Sequence, residues 1–365
     1  MKTANTKDHK GPVPRLVIDL AAIQRNYAKL QTLAGDAEVG AVIKADAYGL
    51  GVQKIVPALS QAGCQNFYAA NASEGVQIRQ ALAGQNANIF SFSGFWPDDL
   101  NELRQHALYP VICELSQLEN LRDIAPDMPF AIQFDTGMNR LGLEADETEI
   151  LTSNPDLLDG LKVKQIISHL ACADERDHPM NARQLSAFSK IRSVFPKIPA
   201  SFSNSAASLL GTDFHYDILR PGIALFGGNP APENPNPFEP AIHIEAPILQ
   251  IRDLKPGDMV GYGASWKADR KLRLATLALG YADGIMRSCQ QGGFGRIGKT
   301  KTPIVGRISM DMLTVDISDI DHDIQLGDRV TFLGPDLDGL ADKAQTISYE
   351  LLVRLGPRLQ RVYTD

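Results

Sequence analysis

The sequence has 365 residues, more than most single domains contain, so a large domain followed by a smaller one is expected. A formal net charge of −7 disfavours binding to nucleic acid or to an anionic membrane surface. The shares of hydrophobic (44%) and charged (22%) residues are those of an ordinary soluble globular protein, and no apolar run is long enough to span a membrane.

The four cysteines are far apart and include no C-x-x-C pair: Cys64, Cys113, Cys172 and Cys289. Such spacing favours reduced thiols over a disulfide framework or a zinc site. The N-terminal segment, Met1 to Pro14, is polar and lacks the apolar core of a secretory signal. We therefore expect a cytoplasmic protein without a metal site.

Between about residues 15 and 228, short apolar runs alternate with segments of helical periodicity. An opening helix is predicted after Asp19, a favourable N-cap, with Ile23, Tyr27 and Leu30 on one face. A second apolar stripe at helical spacing begins at Val52. The predicted strands are short and mostly apolar, as in parallel sheets buried on both faces: 40–44, 67–70, 88–92, 109–113, 130–135, 163–169, 200–203 and 223–226.

Eight strands with intervening helices in about 215 residues predict an α/β fold, a (β/α)8 TIM barrel over residues 1–228. A doubly wound open sheet is the alternative that this pattern leaves open.

A proline-rich segment follows, with four prolines in the nine residues from Asn229 to Pro237. Because proline continues neither a helix nor a central strand, residues 229–239 are predicted to be a linker. Beyond it, short alternating stretches lie between Pro-Gly and Gly-Asp turns, which predicts a smaller, mainly β C-terminal domain over residues 240–365. Its predicted strands are 246–252, 272–279, 312–317 and 329–333.

Lys44 directly follows an apolar strand, at the end where a barrel keeps its active site. Near an apolar pocket, a lysine amine is more readily neutral and can form a Schiff base; the alternative is a surface lysine that ends a strand. Asn204 and Ser205 follow the seventh strand, and Arg220-Pro-Gly222 precedes the eighth. Barrels commonly hold a phosphate in these loops, although Asn204-Ser205 also fits a helix N-cap.

The stretch Ala41-Val-Ile-Lys44-Ala-Asp-Ala-Tyr48-Gly49 closely resembles the pyridoxal-phosphate attachment motif of alanine racemases. The likeness spans nearly the whole chain from about residue 15, and its further blocks occur in the family order: 135–142, 168–169, 204–207, 219–227, 261–263, 280–284 and 306–311.

This resemblance implies a racemase that interconverts L- and D-alanine through an external aldimine of pyridoxal 5′-phosphate with two bases, for peptidoglycan synthesis or for D-alanine catabolism. Lys44 would carry the cofactor and serve as one base. Tyr262 of the partner subunit would be the other, so the resemblance also implies a homodimer with shared active sites. The remaining implied residues are Tyr48, Ser205, Asn204, Gly222 and Ile223 around the cofactor phosphate, Arg220 at its ring nitrogen, His169 between Arg220 and the second base, Arg140, Met310 and Asp311 at the substrate, and Tyr281 at the entrance.

Three positions depart from the family pattern. Leu50 replaces a histidine, and Pro357 stands where some members have a phosphate-contacting tyrosine. Gln133 replaces a lysine that is carbamylated in some members, and glutamine cannot form a carbamate. We therefore predict that Arg140 is held by Gln133 or by a bound anion.

Two weaker patterns are interpreted as structural. The G-x-G-x-x-G match at residues 293–298 neither follows a predicted strand nor opens a helix, so we interpret it as a glycine-rich loop and not as a dinucleotide site. The charged stretch 174–178 is interpreted as a solvated loop.

Three other functions compete with alanine racemisation: racemisation of another amino acid, a non-catalytic pyridoxal-phosphate-carrying barrel, and a related barrel decarboxylase. The non-catalytic proteins lack a β domain, whereas about 130 residues follow the linker here.

Overall fold

The computed structural model describes residues 12–365. The chain begins with strand β1 (Arg15–Asp19) and helix α1 (Leu20–Ala34). Asp19 accepts a hydrogen bond from the N–H of Ala22 at 2.8 Å, which confirms the predicted N-cap. The predicted inner face, Ile23, Tyr27 and Leu30, is buried.

The described chain divides into two compact units. One is Ile23–Glu239, and the other joins the described residues up to Ala22 to Pro240–Asp365.

The larger unit contains a seven-stranded parallel sheet with α-helices between its strands, as the sequence predicted. A two-stranded parallel pair, in which Ile218 lies opposite Glu38, accompanies it. The strands are β2 (Glu38–Val39), β3 (Ala41–Val42), β4 (Asn66–Ala69), β5 (Asn88–Ser91), β6 (Leu108–Ile112), β7 (Pro129–Gln133), β8 (Lys162–Ile167), β9 (Ala200–Ser201) and β10 (Ile218–Leu219). The helices are α3 (Val52–Gln61), α4 (Ala72–Ala81), α5 (Leu100–Gln105), α6 (Leu115–Ile124), α7 (Ala145–Ser153) and α8 (Pro179–Val194), and a short segment with left-handed backbone, α2 (Lys44–Tyr48), precedes them.

Backbone hydrogen bonds connect the first and last strands of this sheet through β10. Gly40 donates to Leu219, and Arg220 donates to Ser203. The strands therefore close into a barrel, and the open-sheet alternative is wrong. Because the strands run parallel, the segments that follow β3, β9 and β10 meet at the same end of the barrel.

The eighth strand lies earlier than the sequence predicted. Residues 223–226 were expected to form it, but they form a buried 3-10 helix, Ile223–Phe226, and the strand is Ile218–Leu219. A continuous apolar run is compatible with either structure, since a fully buried helical turn and a fully buried strand have no polar face.

The second unit is mainly β, as predicted. Its strands are β11 (Ile242–Leu254), β12 (Met259–Val260), β13 (Trp266–Lys267), β14 (Leu272–Leu277), β15 (Phe294–Ile297), β16 (Thr300–Val305), β17 (Leu313–Asp316), β18 (Arg329–Leu333) and β19 (Gln360–Thr364), with helices α9 (Leu337–Lys343) and α10 (Ser348–Val353). An eight-stranded sheet has the order β14-β17-β16-β15-β18-β11-β1-β19, and an additional pairing of β11 with β14 closes six of these strands into a ring.

The domain boundary at the N-terminal end differs from the sequence expectation, which placed residues 1–228 in the barrel. Strand β1 belongs to the second unit, where it pairs antiparallel with β11 and parallel with β19. Its partners lie more than 200 residues away in the sequence, so no local pattern identifies them. The proline-rich segment is grouped with the barrel, up to Glu239.

The G-x-G-x-x-G segment is also more regular than predicted. It is not a loop, because Phe294–Ile297 forms a strand that pairs with Thr300–Val305 in a hairpin. It opens no helix, which agrees with the rejection of a dinucleotide site. Within residues 12–365, no helix is both long and apolar enough to cross a membrane.

Candidate active site

The lysine motif forms an unusual turn after β3. Four consecutive non-glycine residues, from Ala45 to Tyr48, have φ between 54° and 58°. Left-handed backbone costs an L-residue roughly 1–2 kcal/mol, so this turn needs support from its surroundings. The turn begins at Lys44 and ends at Gly49, which has φ 80° and donates a hydrogen bond to Ala45 O.

Two carboxylates stabilise this turn by hydrogen bonds. Asp46 accepts a hydrogen bond from Val52 N–H at 2.8 Å, which ties the turn to the start of α3. Glu74 accepts one from Ala45 N–H at 2.8 Å and a second from Ala70 N–H at 2.9 Å. Glu74 did not emerge from the sequence reasoning, although it follows Asn71 by three positions, the spacing of a helix N-terminus.

Lys44 lies among basic groups. Burial and the charge of Arg140 lower the pKa of its amine, while Glu74 opposes them. Burial, followed by Arg220, Arg140 and Lys44, lowers the pKa of His169 to about 3. The barrel therefore brings Lys44, Arg140 and Arg220 within electrostatic reach of His169 and keeps the imidazole neutral near pH 7.

Arg220 is buried beneath this group. Its guanidinium donates to Ser201 Oγ and, at 2.6 Å, to the carbonyl of Ser168, and it lies 6.0 Å from the centre of the Tyr68 ring. Burial lowers its pKa to about 10, so it remains a cation near neutral pH. These two acceptors use only part of its five N–H donors, which leaves donor capacity for a ligand nitrogen.

Two loops at the same end of the barrel form a small donor-rich cradle. The N–H groups of Gly222 and Ala224 converge on Ser205 Oγ at 2.9 and 3.3 Å. A Cβ added at Gly222 would lie 2.0 Å from Tyr48 Oη, so the tyrosine hydroxyl lies against the Gly222 backbone. Hydroxyl and backbone N–H donors in this arrangement fit a phosphate monoester.

The other residues predicted around this cradle have structural partners. Asn204 accepts a hydrogen bond from Ala207 N–H, which is the N-cap arrangement that the sequence also allowed. Ile223 opens the buried 3-10 helix. Leu50, one of the three positions that depart from the family pattern, is completely buried and contributes no polar group.

Gln133 holds the segment that carries Arg140. Its side-chain amide donates to the carbonyl of Leu141 at 2.7 Å, while its backbone carbonyl accepts from Leu143 N–H. Thus Gln133 contacts the backbone next to Arg140. The sequence predicted that Gln133 or an anion would hold Arg140. In the structure, Gln133 contacts the adjacent residue, Leu141.

In the second unit, Tyr262 lies on a short 3-10 helix between two glycines with positive φ, Gly261 and Gly263. A Cβ at Gly263 would lie 3.1 Å from the Arg307 guanidinium, so this turn packs closely on Arg307. The Tyr262 side chain projects from the unit with 71% of the residue exposed.

Two loops of the second unit bring together the remaining predicted residues. Tyr281 N–H donates to Ser309 O, and Ala282 N–H donates to Met310 O. Gly280 is required here, because a Cβ would lie 2.3 Å from Met310 O.

Arg358 connects the same two loops by ion pairs. Its guanidinium lies 3.0 Å from the buried Asp283 carboxylate and 2.6 Å from that of Asp311. The sequence reasoning missed this arginine because nothing in the local pattern reveals an ion pair across about 47 residues. Its neighbour Pro357 supplies no hydroxyl to a phosphate, as the sequence indicated.

The sequence matches two family models, described as the alanine racemase N-terminal domain at residues 18–230 and the alanine racemase C-terminal domain at residues 241–363. A catabolic alanine racemase of Agrobacterium fabrum is 41% identical over 360 residues, which cover 97% of this chain and 92% of that protein. An alanine racemase of Acidiphilium cryptum is 42% identical over 356 residues, covering 96% and 98%. Among solved structures, alanine racemase from Bartonella henselae with covalently bound pyridoxal phosphate has a TM-score of 0.91 at 38% identity and covers 97% of this chain and 100% of that chain.

Proposed function

The chain belongs to the alanine racemase family of pyridoxal-phosphate-dependent isomerases, and we propose that it interconverts L- and D-alanine with Lys44 and Tyr262 as the two bases. The observation that carries this proposal is the arrangement at one end of the barrel. There a lysine with a lowered pKa lies near Arg140 and a neutral His169, at the same end as the donor-rich cradle of Ser205 and Gly222.

Racemisation requires that a proton leave one face of a planar carbon and return to the other. One base cannot reach both faces, so the reaction needs two groups that exchange protons near the working pH. The lowered pKa of Lys44 provides a larger neutral fraction of amine, and that amine removes or delivers the Cα proton on its own face. The phenol of Tyr262 serves the opposite face.

Pyridoxal phosphate, when bound, serves as the electron sink for the carbanion at Cα. Lys44 would carry it, Arg220 would donate to its ring nitrogen, and Tyr48, Ser205, Gly222 and Ile223 would surround its phosphate. Because Arg220 remains protonated, it donates a hydrogen bond without giving up its proton. With an arginine partner, the pyridine ring would accept electrons less strongly than with a carboxylate partner. This would limit side reactions such as transamination.

The substrate carboxylate is assigned to Arg140 and the Met310 backbone. Arginine suits this role because its planar guanidinium binds a carboxylate with two parallel hydrogen bonds. Gln133 supports that arginine through the Leu141 carbonyl and needs no carbamate. We further assign Tyr281 to the substrate entrance.

We propose that the enzyme is a homodimer in which each barrel receives Tyr262 of the partner subunit. In the single chain, Tyr262 is exposed, and so are other large apolar side chains of the second unit: Met259, Tyr281, Met310 and Met312. Exposed large apolar side chains favour a surface that another chain covers. A cover also excludes water from the reacting carbon.

The physiological direction is a property of the cell. L- and D-alanine have equal free energies, so one racemase serves both the supply of D-alanine for peptidoglycan and its catabolism. We place the protein in the cytoplasm, where its four free thiols remain reduced.

The test is racemisation of L-alanine in D2O by the purified protein with added pyridoxal phosphate. With two bases, the first D-alanine formed carries deuterium at Cα while the recovered L-alanine keeps protium. Deuterium appearing equally in both enantiomers from the start would contradict the two-base assignment. The same assay with L-serine and L-lysine tests whether another amino acid is the preferred substrate. We expect alanine to react fastest.

A further inference from the structure

The carboxylate of Glu74 lies between the lysine turn and the next strand of the barrel. Its two oxygens accept hydrogen bonds from Ala45 N–H, adjacent to Lys44, and from Ala70 N–H, after β4. Glu74 is itself fixed, since its own N–H donates to the side chain of Asn71, which caps α4. One side chain therefore connects the lysine turn, a barrel strand and a helix N-terminus.

We propose that Glu74 is a positioning residue for Lys44: its carboxylate holds the first peptide of the left-handed turn and so fixes where the lysine amine is presented. The proposal rests on the assignment of Lys44 as the cofactor-bearing lysine. It concerns a residue that does not itself contact substrate or cofactor.

The backbone of the turn explains why such a restraint is needed. Residues 45–48 all have left-handed φ, a conformation that L-residues leave readily when nothing holds them. The hydrogen bond to Ala45 N–H acts on the first of these residues, directly after the lysine. An acceptor there restrains both the start of the turn and the direction of the Lys44 side chain.

Charge gives Glu74 a second effect. The charged groups that act on Lys44 are Arg140, which lowers its pKa, and Glu74, which raises it; His169 lies within reach of both basic residues and is neutral. Among the described residues, Glu74 is thus the carboxylate that raises the pKa of Lys44. Its removal leaves the lowering effects of burial and Arg140 unopposed.

The experiment follows cofactor uptake by apoenzyme, without racemase turnover. Wild-type and Glu74→Gln apoenzymes are mixed with excess pyridoxal phosphate over a range of pH, and the rate at which the visible absorption of the Lys44-bound cofactor appears is recorded. Glutamine keeps the shape but lacks the charge, and it offers only one acceptor oxygen to two N–H donors. We expect the rate at its plateau to fall by about three- to tenfold and the midpoint of the pH profile to move to lower pH.

Glu147→Gln is the matched control. Glu147 also lies in the first turn of a barrel helix and also accepts two backbone hydrogen bonds, from Leu115 N–H and Glu144 N–H, but no lysine of the candidate site neighbours it. We expect it to alter thermal stability as much as Glu74→Gln does while leaving the rate and midpoint of cofactor uptake unchanged. Glu74→Asp, which keeps the charge, should restore the midpoint.

The outcomes separate the two proposals. Normal uptake rate and midpoint in Glu74→Gln would overturn the positioning role of Glu74, as would equal changes in Glu147→Gln. Lys44→Ala distinguishes a failure of the proposed function: cofactor uptake as in wild type by that variant would show that another lysine carries the cofactor.

Discussion

The two groups of candidate site residues differ sharply in burial. In the barrel, Arg220 and Ser205 are each 3% exposed and are held by hydrogen bonds within the unit. In the second unit, Tyr262 is 71% exposed and Met310 is 53% exposed. The groups assigned to the cofactor phosphate and ring nitrogen are therefore enclosed by the fold, whereas Lys44 and the group assigned as the second base are exposed.

This contrast agrees with the proposed division of roles, in which the barrel binds the cofactor and the second unit supplies a base to the partner subunit. A preorganised donor set needs no rearrangement to bind a phosphate, because folding has already ordered it. An exposed phenol, by contrast, exchanges protons with water until something covers it. Changes in the barrel should thus affect cofactor binding, and changes in the second unit should affect catalysis with the cofactor retained.

The largest effect is expected for Tyr262→Phe. Loss of one general acid–base group should slow racemisation from L-alanine by about 10²- to 10⁴-fold, while the visible spectrum of the bound cofactor stays the same. Rates in both directions and the spectrum are the measurements, with Tyr349→Phe in the same unit as the control. Loss of the cofactor from Tyr262→Phe would contradict the separation of roles.

Gly222→Ala tests the barrel side. Its new Cβ would lie 2.0 Å from Tyr48 Oη, so the tyrosine must move and the cradle must open. We expect cofactor affinity to fall by about 10- to 100-fold, the equivalent of an overpacking cost of roughly 1–3 kcal/mol. Equilibrium dialysis measures this affinity. The matched control is Gly339→Ala, where a Cβ meets nothing within 4 Å. Unchanged affinity in Gly222→Ala would show that the cradle does not hold the phosphate.

Arg358→Gln tests how the loops of the second unit are anchored. Without the guanidinium, the buried Asp283 and the Asp311 carboxylate lose their shared cation, and the two loops they anchor become less ordered. We expect KM for alanine to rise by up to about tenfold with little change in cofactor affinity. Arg354→Gln, which removes a surface pair with Glu350, is the control. Weakened cofactor binding in Arg358→Gln would contradict the assignment of cofactor binding to the barrel.

The smallest effect concerns pH and the imidazole of His169. Burial and the neighbouring cations lower the pKa of His169 to about 3, against about 6.5 in an unfolded chain. Between these values the unfolded chain binds a proton that the folded barrel does not. The free energy of unfolding therefore has its full value, as far as His169 is concerned, above about pH 6.5. It decreases as pH falls toward 3, by at most about 1.4 kcal/mol per pH unit.

The measurement is urea unfolding of the apoenzyme between pH 7.5 and pH 5. His169→Asn should lessen the loss of stability on acidification, whereas the exposed His322→Asn should not. An equal acid sensitivity of His169→Asn and wild type would show that the imidazole is not held neutral by the fold.

Local pattern was sufficient to predict much of the barrel. Short apolar runs and helical stripes located seven of its strands to within a few residues, and Asp19 marked the first helix. Pattern failed at Ile223–Phe226, where burial on all sides removes the periodicity that separates a strand from a helical turn. It also failed for Phe294–Ile297, where glycines suggested a loop.

The reactive groups could be identified from the amino-acid sequence alone: a lysine at a strand end, a serine and a glycine in the loops around the last barrel strand, and two tyrosines that each follow a glycine. Folding was needed to show that β1 joins a sheet formed by residues beyond 240, that Glu74 holds the lysine turn, and that Arg358 connects two loops. The two sets of features differ because their interactions act over different separations along the sequence. Periodicity and capping act between residues a few positions apart, whereas sheet partners, ion pairs and pKa shifts depend on groups that the folded chain brings together from distant positions.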